Sequence, residues 1–278
     1  KKGTAGRFAP GLPAKGDGQL LFMLNGLAKL KDDGQMAIIQ NGSSLFNGDA
    51  GSGPSEIRRY LIENDWLEAI VQLPNNAFYN TSIATYIWIV MKNKPVTHQG
   101  KVQLIDASAC CSSRRKNIGS KNVDITKSCR DLIIKAYGAY VDETYNGVDE
   151  NDNAIIVKSK VMDAIDLGYN KIVVETPQLD EDGNIVMKKK KPVADKSKRD
   201  TENIPLAEDI DVYFEREVIP YNPQAWIDKT KTKVGYEIPF TRTFYEYQQV
   251  EPSDVIAARI QYYEKSLMAK LHDLFGGE

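Results

Sequence analysis

Hydrophobic positions in the first hundred residues alternate between helical spacing and short unbroken runs. Leu20, Leu24 and Leu27 recur every three or four residues, which predicts a helix over residues 18–31. A second helix is predicted over residues 54–63. Strands are predicted where apolar and β-branched residues run together, at 35–40, 66–73, 83–91 and 101–106. This alternation is typical of an α/β domain with a substantially parallel sheet, and four strands make only half of such a sheet.

The most apolar of these runs, at residues 83–91, is β-branched and aromatic throughout and predicts a central strand. It is followed closely by the run at 101–106. Because the connection between the two is short, we expect them to form an antiparallel pair at the edge of the sheet.

Beyond residue 110 the pattern changes. Helices are predicted at 125–137 and 206–218, an acidic loop at 142–153, a β-hairpin at 171–187 and an irregular aromatic loop at 235–240. The hairpin is predicted to join strands 171–175 and 183–187 around a turn that contains Gly183. The second half is therefore expected to be mainly helical with one hairpin.

A strongly basic run occupies residues 188–199, with seven basic side chains and one acidic side chain. Such a run is usually a solvated loop, and contact with phosphate is the alternative. The candidates for phosphate contact are Lys188, Lys189, Lys190 and Lys191.

The last predicted helix covers residues 252–275 and carries one apolar stripe. Its members follow one another at intervals of three or four residues: Ile256, Ile260, Tyr263, Leu267, Leu271 and Leu274. A stripe of this kind packs either on its own domain or on a partner helix, and the sequence leaves both possibilities open.

Composition narrows the class of protein. The 278 residues are 42% hydrophobic and carry a formal net charge of -2, which excludes a wholly basic DNA coat but leaves room for a local basic face. The run at 83–91 is far shorter than the roughly 20 apolar residues of a membrane span. The three cysteines show no zinc-binding spacing, so free thiols and no metal site are expected. These features favour a soluble cytoplasmic protein.

Five separated stretches combine apolar positions with charged or aromatic ones: EIRRYLIE at 56–63, LEAIVQLP at 67–74, FYNTSIAT at 78–85, EDIDVYFEREV at 208–218 and KVGYEIPFTRTFY at 233–245. In this order, the stretches resemble one family, the modification (methyltransferase) subunit of type I restriction-modification systems. The resemblance implies transfer of a methyl group from S-adenosylmethionine to the N6 amine of adenine in DNA, which protects host DNA from restriction. It also implies partners, namely DNA, a specificity subunit, a motor-nuclease restriction subunit and a second methyltransferase subunit.

The two catalytic signatures of that family are absent from these residues. They are a Gly-rich cofactor loop and an Asn-Pro-Pro-Phe or Asn-Pro-Pro-Tyr tetrapeptide, and the resemblance places both upstream of Lys1. The tetrapeptide activates an adenine amine whose lone pair is delocalised into the ring. We therefore expect no catalytic residue in this chain and no methyl transfer by the chain alone.

The resemblance also implies a domain organisation. Residues 1–122 would be the second half of a Rossmann-like catalytic domain, and residues 123–250 a C-terminal region that includes the hairpin and the basic run. Residues 251–278 would be a helix that binds the specificity subunit.

Four site residues carry over from the family. Phe22 and Asp17 are expected to contact the cofactor, with a sheet-packing role as the alternative for Phe22. Phe78, with Tyr79 as the alternate, is expected to stack on the target base, because an adenine amine can be reached only when its nucleotide is flipped out of the duplex. The alternative for Phe78 is a plain core aromatic. The competing function is a non-catalytic assembly or nucleic-acid-binding module.

Overall fold

The computed structural model describes residues 6–247 and 250–275. Within them, the α-helices are α1 (Gln19–Leu27), α2 (Ser43–Phe46), α3 (Gly53–Glu63), α4 (Lys127–Ala139), α5 (Ile210–Glu217), α6 (Phe240–Thr243) and α7 (Ser253–Phe275). The strands are β1 (Gln35–Asn41), β2 (Leu67–Gln72), β3 (Thr85–Met91), β4 (Lys101–Asp106), β5 (Ser112–Ile118), β6 (Lys121–Asp124), β7 (Glu143–Val148), β8 (Ala154–Asp163), β9 (Gly168–Glu175), β10 (Met187–Lys188), β11 (Lys191–Pro192), β12 (Asp200–Pro205), β13 (Trp226–Ile227) and β14 (Lys233–Tyr236).

The larger sheet has six strands in the order β1-β3-β2-β4-β8-β7. Strand β3 is antiparallel to β1 and to β2, and β2 is parallel to β4. Strand β8 is antiparallel to β4 and to β7. Four of the five pairings are antiparallel, so the prediction of a substantially parallel sheet is wrong and the sheet is mixed. The predicted antiparallel pair of 83–91 with 101–106 at the sheet edge is therefore wrong. The prediction of a central strand at 83–91 is confirmed, because β3 buries Trp88 and Val90 completely and has a neighbour on each side.

The sheet is covered on both faces because its inner strands are apolar at successive positions. Ile70 and Leu104 pack in one cluster with Met23 of α1 and Leu61 of α3. The next residues along the two strands, Val71 and Ile105, pack in another cluster with Cys129 and Ala136 of α4. Successive side chains of a strand point to opposite faces, so α1 and α3 cover one face and α4 covers the other.

The region after residue 122 is richer in strands than expected, so the prediction of a mainly helical region is wrong. The expected acidic loop at 142–153 contains β7, which extends the large sheet by pairing with β8. Only Tyr145 of β7 is buried, so the strand lacks the regular hydrophobic alternation that would identify it from sequence.

The predicted hairpin at 171–187 is also wrong. Strand β9 pairs instead with β12, β13 and β14 in a second sheet. Its alternate residues Ile172 and Val174 are buried beside Phe214 of α5, and this packing selects those partners. The expected turn exists, closed by a Gly183 N–H to Asp180 carbonyl bond of 3.1 Å, and Leu179 pairs with Ile185 across it, but the segment at 171–175 takes no part in this pairing.

The basic run and the aromatic loop also contain strands. Within 188–199, Lys188 pairs with Lys191 in a two-residue ladder. The residues between them, Lys189 and Lys190, have positive φ values of 50° and 62°. The expected irregular loop at 235–240 begins in β14 and leads into α6.

The chain divides into two compact units. The first extends to Phe244 and the second begins at Tyr245 and contains α7. Because β8 pairs with β4, the large sheet of the first unit includes strands on both sides of residue 122. Among the described residues, none of the helices combines the length and the hydropathy of a membrane span.

Candidate functional site

Three parallel strands of the large sheet, β1, β2 and β4, end at one edge. The register places Asn41 opposite Thr85, and Gln72 opposite both Tyr86 and Asp106. In open α/β sheets, ligands bind in the crevice outside the carboxyl ends of such strands. The predicted site residues Asp17, Phe22, Phe78 and Tyr79 all lie on segments that reach this edge.

Asp17 belongs to a hydrogen-bonded cluster at the end of β1. Its carboxylate accepts from Ser43 Oγ at 2.6 Å and from Gln19 Nε2 at 2.9 Å. The same Gln19 amide donates to Asn41 Oδ1 at 2.6 Å and accepts from the Asn41 N–H at 3.0 Å. The cluster fixes the start of α1 against the end of β1. The sequence identified Asp17 as a candidate but not Gln19, Asn41 and Ser43. Their polarity alone does not distinguish them from other polar residues of the chain.

A cavity of about 380 Å³ opens beside this cluster. It is mainly apolar, and its polar lining includes Asp17, Ser43 and Ser52. Phe22, in contrast, lies in the first turn of α1 with 70% of its surface exposed and does not line the cavity. The alternative of Phe22 packing on the sheet is therefore wrong, and the two cofactor candidates are at the same end of α1 but not in one pocket.

Two buried side-chain oxygens at this edge have no hydrogen-bond partner. They are Oε1 of Gln40, the penultimate residue of β1, and Oγ1 of Thr85, the first residue of β3. Buried polar atoms are normally paired, so each needs an explanation. Both oxygens are enclosed by protein atoms, and neither residue lines the cavity beside Asp17.

Phe78 and Tyr79 lie in the loop between β2 and β3. The loop turns sharply, with Asn76 and Asn80 at φ values of 57° and 53° and a bridge between Phe78 and Thr81. Asn tolerates this left-handed conformation better than most residues. Phe78 is 36% exposed and Tyr79 is 64% exposed, so neither is a core aromatic. Both rings are available at the surface of the loop.

A two-stranded ribbon, formed by β5 and β6, lies against this loop. The Asn122 N–H of β6 donates to the Asn76 carbonyl at 3.3 Å. A Cβ placed on Gly119, in the ribbon turn, would come within 2.9 Å of the Tyr79 ring and 2.6 Å of Asn80 Oδ1. No sequence pattern predicts the ribbon, because its first strand is a polar run without alternation.

Arg58 of α3 joins the site to the C-terminal stretch that carries the family resemblance. Its guanidinium donates to the carbonyls of Tyr236 at 2.6 Å, Asn47 at 2.9 Å and Ser44 at 3.1 Å. Burial lowers the pKa of Arg58 to about 10, so the group stays charged at neutral pH. Strand β14 is thereby tied to the loop that follows β1.

Tyr236 makes two further bonds to α3. Its N–H donates to Ser55 Oγ at 2.9 Å and its hydroxyl donates to Glu63 Oε1 at 3.1 Å. Burial raises the pKa of the Tyr236 hydroxyl to about 12, which keeps it protonated as a donor.

The basic run is divided between a structural end and an exposed end. Arg199 donates to buried Glu175 at 2.9 Å, and Lys231 Nζ approaches the same carboxylate at 2.8 Å. Lys188, Lys189, Lys190 and Lys191 form the exposed ladder and turn. Their contact with phosphate stays a prediction.

The apolar stripe of α7 is not buried. None of the described side chains of this helix is buried, and Ile260, Tyr263 and Leu274 are more than half exposed.

The three cysteines are free thiols. Across residues 6–247 and 250–275 no group of three or more His, Cys, Asp or Glu side chains could hold a metal ion.

Comparison with known proteins gives the family. The sequence profile of the N-6 DNA Methylase family matches residues 2–175, more than half of the chain. The chain therefore belongs to the N-6 DNA methylases.

The curated relatives are modification subunits of type I restriction enzymes. The MjaIX methylase subunit of Methanocaldococcus jannaschii is 32% identical over 109 residues, which cover 38% of this chain and 19% of that protein. The HindI methylase subunit of Haemophilus influenzae is 33% identical over 101 residues, covering 36% of this chain and 22% of that protein. These matches confirm the resemblance to type I methyltransferase subunits, and each spans about a fifth of the relative.

Among solved structures, the type I methyltransferase subunit of Streptococcus thermophilus is similar with 26% identity and a TM-score of 0.47. The similar part covers 59% of this chain and 31% of that chain.

Proposed function

We propose that this chain is part of a type I restriction-modification methyltransferase subunit that methylates adenine N6 in DNA and thereby protects host DNA in the cytoplasm. One observation carries the proposal. The exposed loop with Phe78 and Tyr79 lies on the same sheet edge as the Asp17 cluster, where β1, β2 and β4 end. A base-flipping enzyme needs an aromatic surface for the base and a cofactor site on the same side of the catalytic sheet, and this arrangement supports the proposal.

The target base would stack on Phe78, with Tyr79 as the alternate. A flipped nucleotide loses its stacking in the duplex, and an aromatic face restores about 1–3 kcal/mol of it. The partial exposure of Phe78 leaves ring surface available for this contact.

The residues present fit one wall of a site for S-adenosylmethionine. The Asp17 carboxylate faces a cavity of about 380 Å³ and can accept hydrogen bonds from ribose hydroxyls, and Phe22 offers an exposed aromatic face. The cofactor would supply the electrophilic methyl group. Asp17 and Phe22 would bind and orient it.

These residues hold and place ligands but do not activate an amine. The Asn-Pro-Pro tetrapeptide of the family does not occur in the sequence. We therefore propose that residues 1–122 form the second half of a catalytic domain and that the 278-residue chain alone transfers no methyl group.

The test is to express the complete gene that encodes these residues with a specificity subunit in a methylation-free host and to map N6-methyladenine by sequencing. We expect methylation at one recognition sequence, and a loss of at least tenfold in the Phe78→Ala variant. Phe46→Ala, an exposed aromatic outside this loop, is the matched control. Absence of N6-methyladenine in the wild type, or methyl transfer to DNA by the purified chain alone, contradicts the proposal.

A second candidate function is assembly, which the exposed stripe of α7 favours. We propose that residues 251–278 dock on a helix of the specificity subunit in a complex that also contains a motor-nuclease subunit and a second methyltransferase subunit. The basic turn at Lys188–Lys191 could add a phosphate contact within residues 123–250. A protein that assembles without methylating would have this function alone.

A further inference from the structure

We infer that the ribbon of β5 and β6 is a DNA-backbone contact that holds the strand carrying the target adenine. This inference rests on the proposed function and adds a binding surface to it. The residues that would touch phosphate are Arg115 and Lys116.

The ribbon combines a buried base with an exposed bulge. At its base Ser112 is buried opposite Asp124, and the preceding Cys110 is fully buried. The ladder then shifts between Ser113 and Ile118. Ser113 pairs with Val123 and Ile118 pairs with Lys121, so the four residues 114–117 lie opposite Asn122 alone. Such bulges occur next to active sites, where they redirect side chains.

Three of the four bulge residues are cations, and they have different environments. Arg114 is partly buried, forms an ion pair with Asp124 and donates to the Lys116 carbonyl at 3.2 Å. Lys121 also pairs with Asp124, at 3.0 Å. Arg114 and Lys121 therefore stabilise the ribbon, and the Arg114 guanidinium lowers the pKa of Asp124. Arg115 and Lys116 are exposed, and no ion pair of theirs is found in the described part of the chain.

The bulge lies close to the proposed base-stacking loop. The one residue opposite it, Asn122, uses its N–H to bond Asn76 of that loop at 3.3 Å. Paired strands are about 5 Å apart, so the bulge backbone is one strand spacing from this bond. The other end of the ribbon contacts the same loop, where Gly119 lies against Tyr79.

The charge pattern fits a nucleic-acid backbone. The whole chain has a net charge of -2, so binding to a polyanion must come from a local basic surface. Backbone contacts to phosphate position a protein on DNA, and base contacts specify the sequence. A flipped nucleotide bends its own backbone away from the duplex, and cations beside the stacking aromatic would hold the flanking phosphates.

The test is fluorescence anisotropy of the 278-residue chain with a labelled 25-base-pair duplex whose central adenine lies opposite an abasic site. Binding is measured from 50 to 200 mM salt for the wild type and for Arg115→Gln with Lys116→Gln. The matched control removes two exposed cations near the amino edge of the sheet, Lys29→Gln with Lys31→Gln. A third variant, Arg115→Lys with Lys116→Arg, keeps both charges.

We expect the ribbon variant to lower affinity at least fivefold at low salt and to reduce the slope of log K against log salt by about 1.8, or about 0.9 for each lost phosphate contact. The control and the charge-preserving variant should retain the wild-type slope, and all variants should keep the wild-type Tm. No DNA binding by the wild type, an unchanged slope in the ribbon variant, or an equal loss in the control overturns the inference. If the ribbon variant binds DNA normally but no longer captures a specificity subunit, the inference is also overturned. The ribbon would then be a protein contact.

The anisotropy experiment on the ribbon and the methylation experiment on the complete gene can fail independently of each other. Ribbon-dependent binding without N6-methyladenine in the expressed gene product would reject the enzymatic proposal and leave the DNA contact. Methylation with ribbon-independent binding would reject the contact and leave the enzyme.

Discussion

At the residue scale, Arg58 has an unusual role for a fully buried cation. Its donors go to backbone carbonyl oxygens of Tyr236, Ser44 and Asn47, which belong to two distant parts of the chain. Burying a guanidinium is costly unless its hydrogen bonds are made. Arg58 therefore fixes the position of the loop after β1, whose residues line the Asp17 cavity.

Replacing Arg58 with Met should destabilise the protein, because three carbonyls lose their donor and those of Tyr236 and Ser44 are buried. We expect the free energy of unfolding in urea to fall by about 3 kcal/mol or more. The neighbouring Arg59→Met is the control. Arg59 pairs with Glu63 at the surface, so its loss should cost about 1 kcal/mol or less. Equal effects of the two substitutions would mean that the carbonyl bonds contribute little.

Glu175 shows the opposite arrangement, a buried carboxylate held by two cations. Arg199 and Lys231 bond it and keep the pKa of Glu175 below its usual range. A depressed pKa means that the contribution to stability is complete above the unfolded-state pKa of about 4.3. The contribution is lost as the pH falls through the lower pKa of the folded protein.

The Glu175→Gln variant should therefore be less stable at pH 7, by about 1–2 kcal/mol, because the charged acceptor shared by Arg199 and Lys231 is lost. Its unfolding free energy should also fall less than that of the wild type between pH 5 and pH 3. Urea titrations at several pH values measure both effects. Glu181→Gln, at an exposed turn position, should follow the wild-type curve. An acid dependence in Glu175→Gln as steep as in the wild type would contradict the assignment.

At the element scale, the geometry of the base-stacking loop depends on the ribbon turn. Gly119 has a φ of 58° and no room for a side chain on the side of Tyr79. A bulge and a glycine thus bring the ribbon turn and the base-stacking loop together. No hydrophobic pattern in the sequence predicts this contact.

Gly119→Ala should displace Tyr79 and Asn80 as well as strain the backbone. We expect a loss of about 1 kcal/mol or more of stability and chemical-shift changes in residues 76–80 by NMR. Gly183→Ala is the matched control, since Gly183 has a φ of 81° but nothing within 4 Å of its Cβ position. The Gly183→Ala variant should lose only the stability that corresponds to its strained backbone conformation. Shifts confined to residues near 119 would show that the turn does not control the loop.

At the scale of the whole molecule, the two compact units have different surfaces. The unit that extends to Phe244 contains clusters of buried apolar side chains between its sheet and its helices. In the second unit, the described residues of α7 expose an entire apolar stripe. Exposed contiguous apolar surface of this kind marks an interaction site.

Substituting the stripe should abolish capture of a specificity subunit without unfolding the first unit. Ile260→Asp with Leu267→Asp removes two apolar contacts worth about 1.5 kcal/mol each or more, so affinity should fall at least about a hundredfold. Tyr262→Asp with Met268→Asp changes exposed residues outside the stripe and should bind nearly normally. Deleting residues 252–278 should match the stripe variant in co-purification and keep the circular dichroism of the first unit. Retained capture after the deletion would remove the partner role.

The sequence by itself determined the parts of this protein whose signal is local. Helical spacing identified α1, α3, α4, α5 and α7, apolar runs identified β1 to β4, and separated motifs identified the family. It also identified Asp17, Phe22, Phe78 and Tyr79 as candidate site residues, because the family motifs that contain them are runs of consecutive residues.

Only the tertiary structure decided which strands pair and which residues meet. Strand β3 lies between β1 and β2, so the backbone N–H and C=O groups on both of its edges are hydrogen-bonded. Strand β9 pairs with β12, and side chains of both strands pack on α5. Arg58, Asn122 and Gly119 acquire their roles from contacts with residues distant in sequence or in other elements. Pairing and burial depend on distances through space, which a pattern along the chain does not contain.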